Sequence, residues 1–173
     1  MSYRIHRVTA DDWRRIKTLR LAALADTPIA FVERYEDAAQ APDTEWKFRA
    51  ERAARATNMQ VLAVTDDGHW VGMMSAFIPE DAEPGRAKLV GVWVHPDHRG
   101  RSAGVAELLL DAVINWARDE VAVDRLDLQV TETNQRAVAF YLRNGFVQNG
   151  RDEPYPLDES LIELGMTLEL APD

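Results

Sequence analysis

The sequence predicts an α/β (α+β) chain, a mixed central β-sheet flanked by helices. Three observations predict it. Short apolar stretches, several with a period of two, mark strands, and longer stretches with helical spacing mark helices. The two kinds are interleaved along the chain, in the order β, two or three helices, three strands, α, β, α, β, β. The 173 residues, 46% of them apolar, suit one hydrophobic core, so residues 1–173 are expected to form a single domain.

Residues 3–8 read as the first strand. Thr9 then acts as an N-cap, with Asp11 and Asp12 in the first helical turn, where carboxylates favour the helix dipole. Trp13, Ile16, Leu19, Ala23 and Leu24 follow at helical spacing, and Pro28 stops that helix. Residues 30–41 hold at most a short helix. Asp43 and Thr44 open another, which carries Trp46 and Phe48 and runs to Ala56. Residues 59–64 and 70–78 are strands joined by the hairpin signal Asp66-Asp67-Gly68. Residues 79–85 form a polar loop, and residues 87–94 a third strand of this group. After a turn over 95–103, residues 104–120 are the clearest helix, with Leu108, Leu109, Ala112, Val113 and Trp116 on one face. Residues 125–131 alternate as a strand. Asn134 begins a helix that ends at Asn144, with Gly145 as its C-cap. Residues 146–149 are a strand, and 152–160 a loop holding Pro154 and Pro156. From 162 to 170 the alternation marks a last strand with one buried face.

Composition excludes several function classes. With 29 acidic and 20 basic side chains the net charge is −9, which argues against nonspecific nucleic-acid binding, since that requires a basic surface. The acidity serves solubility or mildly steers a cationic substrate. No cysteine is present, so disulfides, thiolate metal sites and cysteine nucleophiles are excluded. No His/Asp/Glu cluster has metal-ligand spacing, so no metal is expected. The first residues carry no signal-peptide pattern, and no apolar run approaches the roughly 20 residues of a membrane helix, so a cytoplasmic location without membrane contact is expected.

The most informative segment is Val92-Trp93-Val94-His95-Pro96-Asp97-His98-Arg99-Gly100-Arg101-Ser102-Ala103-Gly104-Val105-Ala106. A strand ends, a Gly/Arg-rich turn follows, and a long helix starts. The first turn of a helix has unpaired N–H groups and a partial positive charge. Small residues there let a pyrophosphate approach those groups, and Arg99 and Arg101 add cationic donors. The plainer reading is a strand-to-helix turn with solvent-facing arginines. A P-loop would need a Lys-Ser or Lys-Thr at the end of the turn, which is missing. A dinucleotide fold would need an early βαβ unit with an acidic ribose contact, also missing.

Here the sequence resembles the GNAT acetyltransferases, whose coenzyme A fingerprint is Gln/Arg-x-x-Gly-x-Gly/Ala. Arg101-Ser102-Ala103-Gly104-Val105-Ala106 matches every position. A second register, Arg99 to Gly104, places Ser102 where the middle glycine belongs. The other family signature, Asn-x-x-Ala-x-x-Phe/Leu-Tyr-x-x-x-Gly-Phe, is matched by Asn134, Ala137, Phe140, Tyr141, Gly145 and Phe146. The two motifs stand in family order. The resemblance implies that acetyl-CoA is the acyl donor and that an amine, small or on a peptide, attacks it directly in a ternary complex. It implies that Arg99, Gly100, Arg101, Ser102, Ala103, Gly104, Val105 and Ala106 form the pyrophosphate loop. Backbone amides of Val92, Trp93 and Val94 would hold the pantetheine arm, in a splay between their strand and that of residues 126–131. Asn134 and Tyr141 would contact the cofactor, with Tyr141 as general acid. A homodimer is the family-level expectation. The alternative function is a coenzyme A-binding sensor that does not catalyse.

The chemistry suits a tyrosine. A thiol has a pKa of about 8.5 and a phenol about 10, so proton donation to the departing thiolate is only mildly uphill. The plain reading of Tyr141 is a core tyrosine bonding a carbonyl. An alkylamine of pKa about 10.4 is mostly protonated at neutral pH, and reaching the free base costs about 4.6 kcal/mol. Many family members carry a glutamate on the strand before the pyrophosphate loop. Here that strand is Leu89-Val90-Gly91-Val92-Trp93-Val94, without an acid. Glu33, Glu36 and Glu132 are the candidates for the base, each with a solvated surface carboxylate as its bland reading. Acceptor specificity is expected in the loops 28–42, 79–85 and 152–160, with Trp46, Trp70, Trp93 and Tyr155 as pocket or core aromatics.

Overall fold

The computed structural model describes residues 2–170, so Met1 and residues 171–173 of the expected domain lie outside the described residues. Strand β1 (Tyr3–Arg7) leads into a single 3-10 turn, Ala10–Asp12. There Asp12 Oδ2 accepts from the Thr9 N–H at 2.9 Å and from the Thr9 hydroxyl at 3.0 Å. Helix α1 (Trp13–Asp26) follows and ends before Pro28. The ambiguous segment folds into a short helix, α2 (Tyr35–Gln40), and α3 (Asp43–Ala53) stops three residues short of Ala56. Strands β2 (Asn58–Thr65), β3 (Trp70–Phe77) and β4 (Arg86–Val94) form an antiparallel meander. Helix α4 (Val105–Asn115) is continued by a wider π-helical turn, Trp116–Glu120. Strand β5 (Arg125–Thr131) pairs parallel to β4. Helix α5 (Gln135–Arg143), β6 (Val147–Gln148), β7 (Glu153–Tyr155) and β8 (Asp158–Glu169) complete the chain. The sheet runs β1-β2-β3-β4-β5-β8-β6, with β7 also on β8.

Two readings need correction. Residues 152–160 are not a loop: β7 pairs with the start of β8, Pro154 standing opposite Ile162. An edge strand needs no N–H from Pro154, so the proline that signals a loop is tolerated there. The buried face of α4 is formed by Val105, Leu109, Leu110, Val113 and Trp116, and Leu108 is only partly covered. A helix apolar on most of its surface does not fix its own rotation by periodicity, and packing on β2 and β3 decides it.

Two hydrophobic cores cover the two faces of the sheet. Leu109, Val113, Leu128, Val130, Phe140 and Tyr141 belong to one, under α4 and α5. Leu19, Trp46, Leu62, Met73 and Trp93 belong to the other, under α1 to α3. Strand β4 serves both through a bulge. Its partners pass from Ser75↔Val90 to Met73↔Trp93, three steps on β4 against two on β3. Gly91 takes the extra residue at φ +64°, open to glycine at little cost. Ala87 and Leu89 face the α4 side before the bulge, and Val92 and Val94 after it, which turns Trp93 to the α1–α3 side.

Candidate active site

Strands β4 and β5 pair only over Arg86–Lys88 and Arg125–Asp127. Beyond Lys88 they part, each bonded to its other neighbour, β3 or β8. The gap is a cleft of about 950 Å³ that passes through the sheet. Leu128, Val130, Ala137 and Tyr141 line it on the α4–α5 side. Gln129 and Thr131 alternate with those β5 residues and face the other way, where Arg20, Trp46, Arg49 and Glu163 join the lining.

One mouth of the cleft is made of backbone. Ala103 and Gly104 both donate their N–H to the Gly100 carbonyl, at 3.2 and 3.3 Å, which rounds the turn. Gly104 caps α4 at φ +65°, and Gly100 sits at φ +103°. A Cβ on either would meet nothing within 4 Å. Their glycines are therefore required by conformation, and the space before them is open to a bulky anion. The first-turn N–H groups of Val105, Ala106 and Glu107 have no acceptor within the helix. Val92, Trp93, Val94, Arg99, Gly100, Arg101 and Ala106 line the cleft, while Ser102, Ala103 and Gly104 form the turn and Val105 is buried beneath it. With α4 starting at Val105, Gly104 is the cap in the register Arg101 to Ala106.

Arg99 is committed inside the protein. Its Nε donates to the Val94 carbonyl at 2.7 Å, and its Nη2 pairs with Asp26. The Trp93 indole N–H donates to the same carboxylate at 2.8 Å. Burial would raise the Asp26 carboxyl, but bonds from Thr27, Trp93 and Arg99 outweigh it and bring it down to about 2. Arg99 thus braces the loop, whereas Arg101, Arg136 and Arg143 add positive charge to the lining. The last two were not singled out from the sequence, because arginines along a helix read as a solvated face.

Helix α5 starts as expected, with Asn134 Oδ1 accepting the Ala137 N–H at 3.3 Å. Both residues line the cleft. Tyr141 is 5% exposed, its ring edge-on to Phe140 and Phe146 at 5.3 and 5.4 Å. Burial pushes its phenol well above the ordinary value.

The expected bases fare differently. Glu33 accepts from Arg20 Nε at 2.8 Å and from Arg49 Nη1 at 2.7 Å. Burial alone would raise it, but these two arginines hold it below the usual range. A carboxylate so held is a weaker proton acceptor than a free one. Glu36 is exposed and borders a separate hollow beside Tyr155 and Leu161. Glu132 Oε1 accepts from the Ile162 N–H at 3.4 Å and lies off the cleft wall. Of the lining carboxylates Glu80, Glu107 and Glu163, Glu163 stands directly across from Thr131, on the side of Arg20 and Arg49. Burial raises its pKa, with Lys88 opposing and Glu153 adding to the rise. In the sequence Glu163 belongs to the polar face of an alternating strand. Only the covering of that face by the segment before α2, where the Thr131 hydroxyl donates to the Ile29 carbonyl at 3.0 Å, makes it a site residue. Of the four aromatics, Trp46 and Trp93 line the cleft. The Tyr155 hydroxyl ties β7 to the Phe31 carbonyl at 2.6 Å, and Trp70 packs beside His6.

A splayed parallel pair, an amide-lined turn at a helix start and a buried tyrosine on the next helix thus meet in one cleft. Residues 19–146 match the model of the acetyltransferase (GNAT) family, and the chain belongs to that family. It is 27% identical over 125 residues to an L-amino acid N-acetyltransferase of Escherichia coli, covering 72% of this chain and 76% of that one. Its fold is similar to a GNAT acetyltransferase from Streptococcus pneumoniae, at TM-score 0.81, 18% identity and coverage of 98% and 100% of the two chains. It is also similar to YncA of Salmonella typhimurium, a structure with its cofactor acetyl-CoA, at TM-score 0.77, 18% identity and coverage of 100% and 99%.

Proposed function

We propose that the protein moves the acetyl group of acetyl-CoA to a primary amine by direct attack in a ternary complex. The observation that carries this reading is the cleft through the sheet, amide-lined at one mouth and bearing a protonatable carboxylate on the opposite side. The backbone of Gly100 to Ala106, with Arg101, Arg136 and Arg143, would hold the diphosphate, and the open edges of β4 and β5 the pantetheine arm. Bound acetyl-CoA supplies an activated acyl thioester.

The chain's own residues then handle protons. Glu163 takes the proton of the incoming ammonium, which offsets part of the cost of neutralising it, and its raised pKa suits it better to that task than an ordinary carboxylate. Tyr141 keeps its proton at every physiological pH, donates it to the departing sulfur as the C–S bond breaks, and is restored by the second proton leaving the new amide nitrogen. The desolvation that raises the phenol also raises a thiol in the same cleft, so the two stay matched. The Val94 amide, which points away from β3, would face the reacting carbonyl.

Tyr141→Phe is expected to lower kcat by about 10² to 10⁴ and to leave acetyl-CoA affinity unchanged. Free-thiol release and calorimetry measure the two. Unchanged kcat would remove Tyr141 from the acid role. Acetyl-CoA binding with no thiol release for any amine would instead favour the sensor reading.

A further inference from the structure

Two arginines on the acceptor side of the cleft wall have no part in the proton transfers above. Arg20 on α1 and Arg49 on α3 close on one carboxylate, Glu33, at 2.8 and 2.7 Å. Each guanidinium also lies over an aromatic ring, Arg20 at 4.3 Å from Phe31 and Arg49 at 4.6 Å from Trp46. Held on two sides, both are fixed in orientation before any ligand arrives. Among the described residues, no acceptor is bonded to Nη1 or Nη2 of Arg20, or to Nη2 of Arg49. Both side chains line the cleft. Arg20 Nη1 lies 3.6 Å from where a Cβ on Gly91 would stand, so this guanidinium sits against the bulge of β4.

Within this cluster two cations meet one carboxylate, which is 14% exposed. The second partner of Arg49, Glu45, is 43% exposed and is not part of the lining, so solvent screens it. Burial and the Arg49 charge lower the Arg20 pKa in spite of Glu33, as expected of a cation short of a counter-charge.

Resting on the reading that an amine is acetylated in this cleft, we propose that the acceptor carries a carboxylate next to its amine, and that Arg20 and Arg49 bind that carboxylate. An α-carboxylate stands one carbon away from the amine nitrogen. Anchored against the bulge, it would direct the nitrogen at the opening between β4 and β5. A guanidinium fork matches a carboxylate in two parallel bonds, which fixes orientation as well as place. Glu33 is then a positioning residue that aims both forks. A polyamine has no carboxylate to offer the unpaired Nη groups of Arg20 and Arg49.

The test uses matched triples, each an α-amino acid, its methyl ester and its decarboxylated amine, built on leucine, methionine and phenylalanine. Acetyl transfer by the full-length chain should favour the free acid by at least about 100-fold in kcat/KM, because the esters and amines leave buried donors unpaired. Arg20→Gln should remove most of that preference through KM on the acid, with the amine changed by no more than a few-fold. Arg49→Gln should repeat the pattern if Arg20→Gln does not fold, and Glu33→Gln should weaken the acid preference without changing the amine. Esters and amines as good as the acid would overturn the proposal, as would a loss in Arg20→Gln that is equal on all three. If no member of any triple is acetylated, the transferase reading fails separately. Calorimetry with N-acetyl-amino acids and their amides then decides the subsite. Acid binding tighter by tenfold or more, lost in Arg20→Gln, upholds it, and equal binding ends it.

Discussion

The two ends of the cleft are made of different material. The end proposed for the cofactor is backbone: a turn closed on the Gly100 carbonyl, the free amides that begin α4, and strand edges left open where β4 and β5 part. The end proposed for the acceptor is side chain: Arg20 and Arg49, set in place by ion pairs and rings, and Glu163 on β8. Backbone donors accept any sequence that keeps the turn, so they suit a ligand shared by many enzymes. Side chains can be exchanged one at a time, so they suit the part that must differ. Substitutions at one end should therefore alter the parameters of one ligand only.

Glu163→Gln should have the largest effect at the acceptor end. The general-base contribution predicts a loss of about 10² in kcat/KM for the amine with acetyl-CoA affinity intact. Because burial raises this carboxyl, the active, ionised form accumulates only above its raised pKa. The wild type should gain activity as pH climbs through it, and the variant should lack that rise. Superimposable pH profiles would eliminate Glu163 as the base.

Asp26→Asn tests the clamp between the ends, since Asp26 on α1 holds both Trp93 and Arg99. With a folded pKa of about 2 against 3.8 for the ordinary carboxyl, its stabilisation is full above 3.8 and is lost as pH falls through about 2. The variant should be less stable by about 1 kcal/mol at neutral pH, a modest figure because the pair is partly solvated, and the gap should close in acid. Urea unfolding at several pH values measures both. A gap that persists at pH 2 would mean the clamp acts by packing rather than by charge.

Gly104→Ala should have the smallest effect, confined to the cofactor end. The left-handed cap conformation strains an alanine by about 1 kcal/mol, and a Cβ there meets no atom. Acetyl-CoA should bind about fivefold more weakly, with acceptor KM unchanged. A change in acceptor KM instead would break the division between the two ends.

The same division explains what was legible in the sequence. The cofactor end is written in one contiguous run, from Val92 to Ala106, and a second from Asn134 to Phe146, because a turn and a helix start are local structures. The acceptor end joins residues 20, 33, 49 and 163, which no local pattern links. Arg20 and Arg49 read as surface arginines on helices, and Glu163 as the wet face of a strand. Glu33 is legible as a carboxylate of the segment before α2, but its two arginine partners, which change its chemistry, appear only in three dimensions. Pro154 misled because a proline signals a loop without telling whether a strand edge is free.

The bulge at Gly91 makes β4 a strand of fixed length. Deleting or inserting one residue between Leu89 and Val94 would exchange its faces, driving the Trp93 indole against α4 and turning Val92 and Val94 towards the helices on the opposite side. Trp93 would then lose Asp26, and the turn before α4 its brace. A change of chain length is better tolerated in a stretch such as 79–85, and one within β4 would alter the spacing between the proposed thioester and acceptor sites.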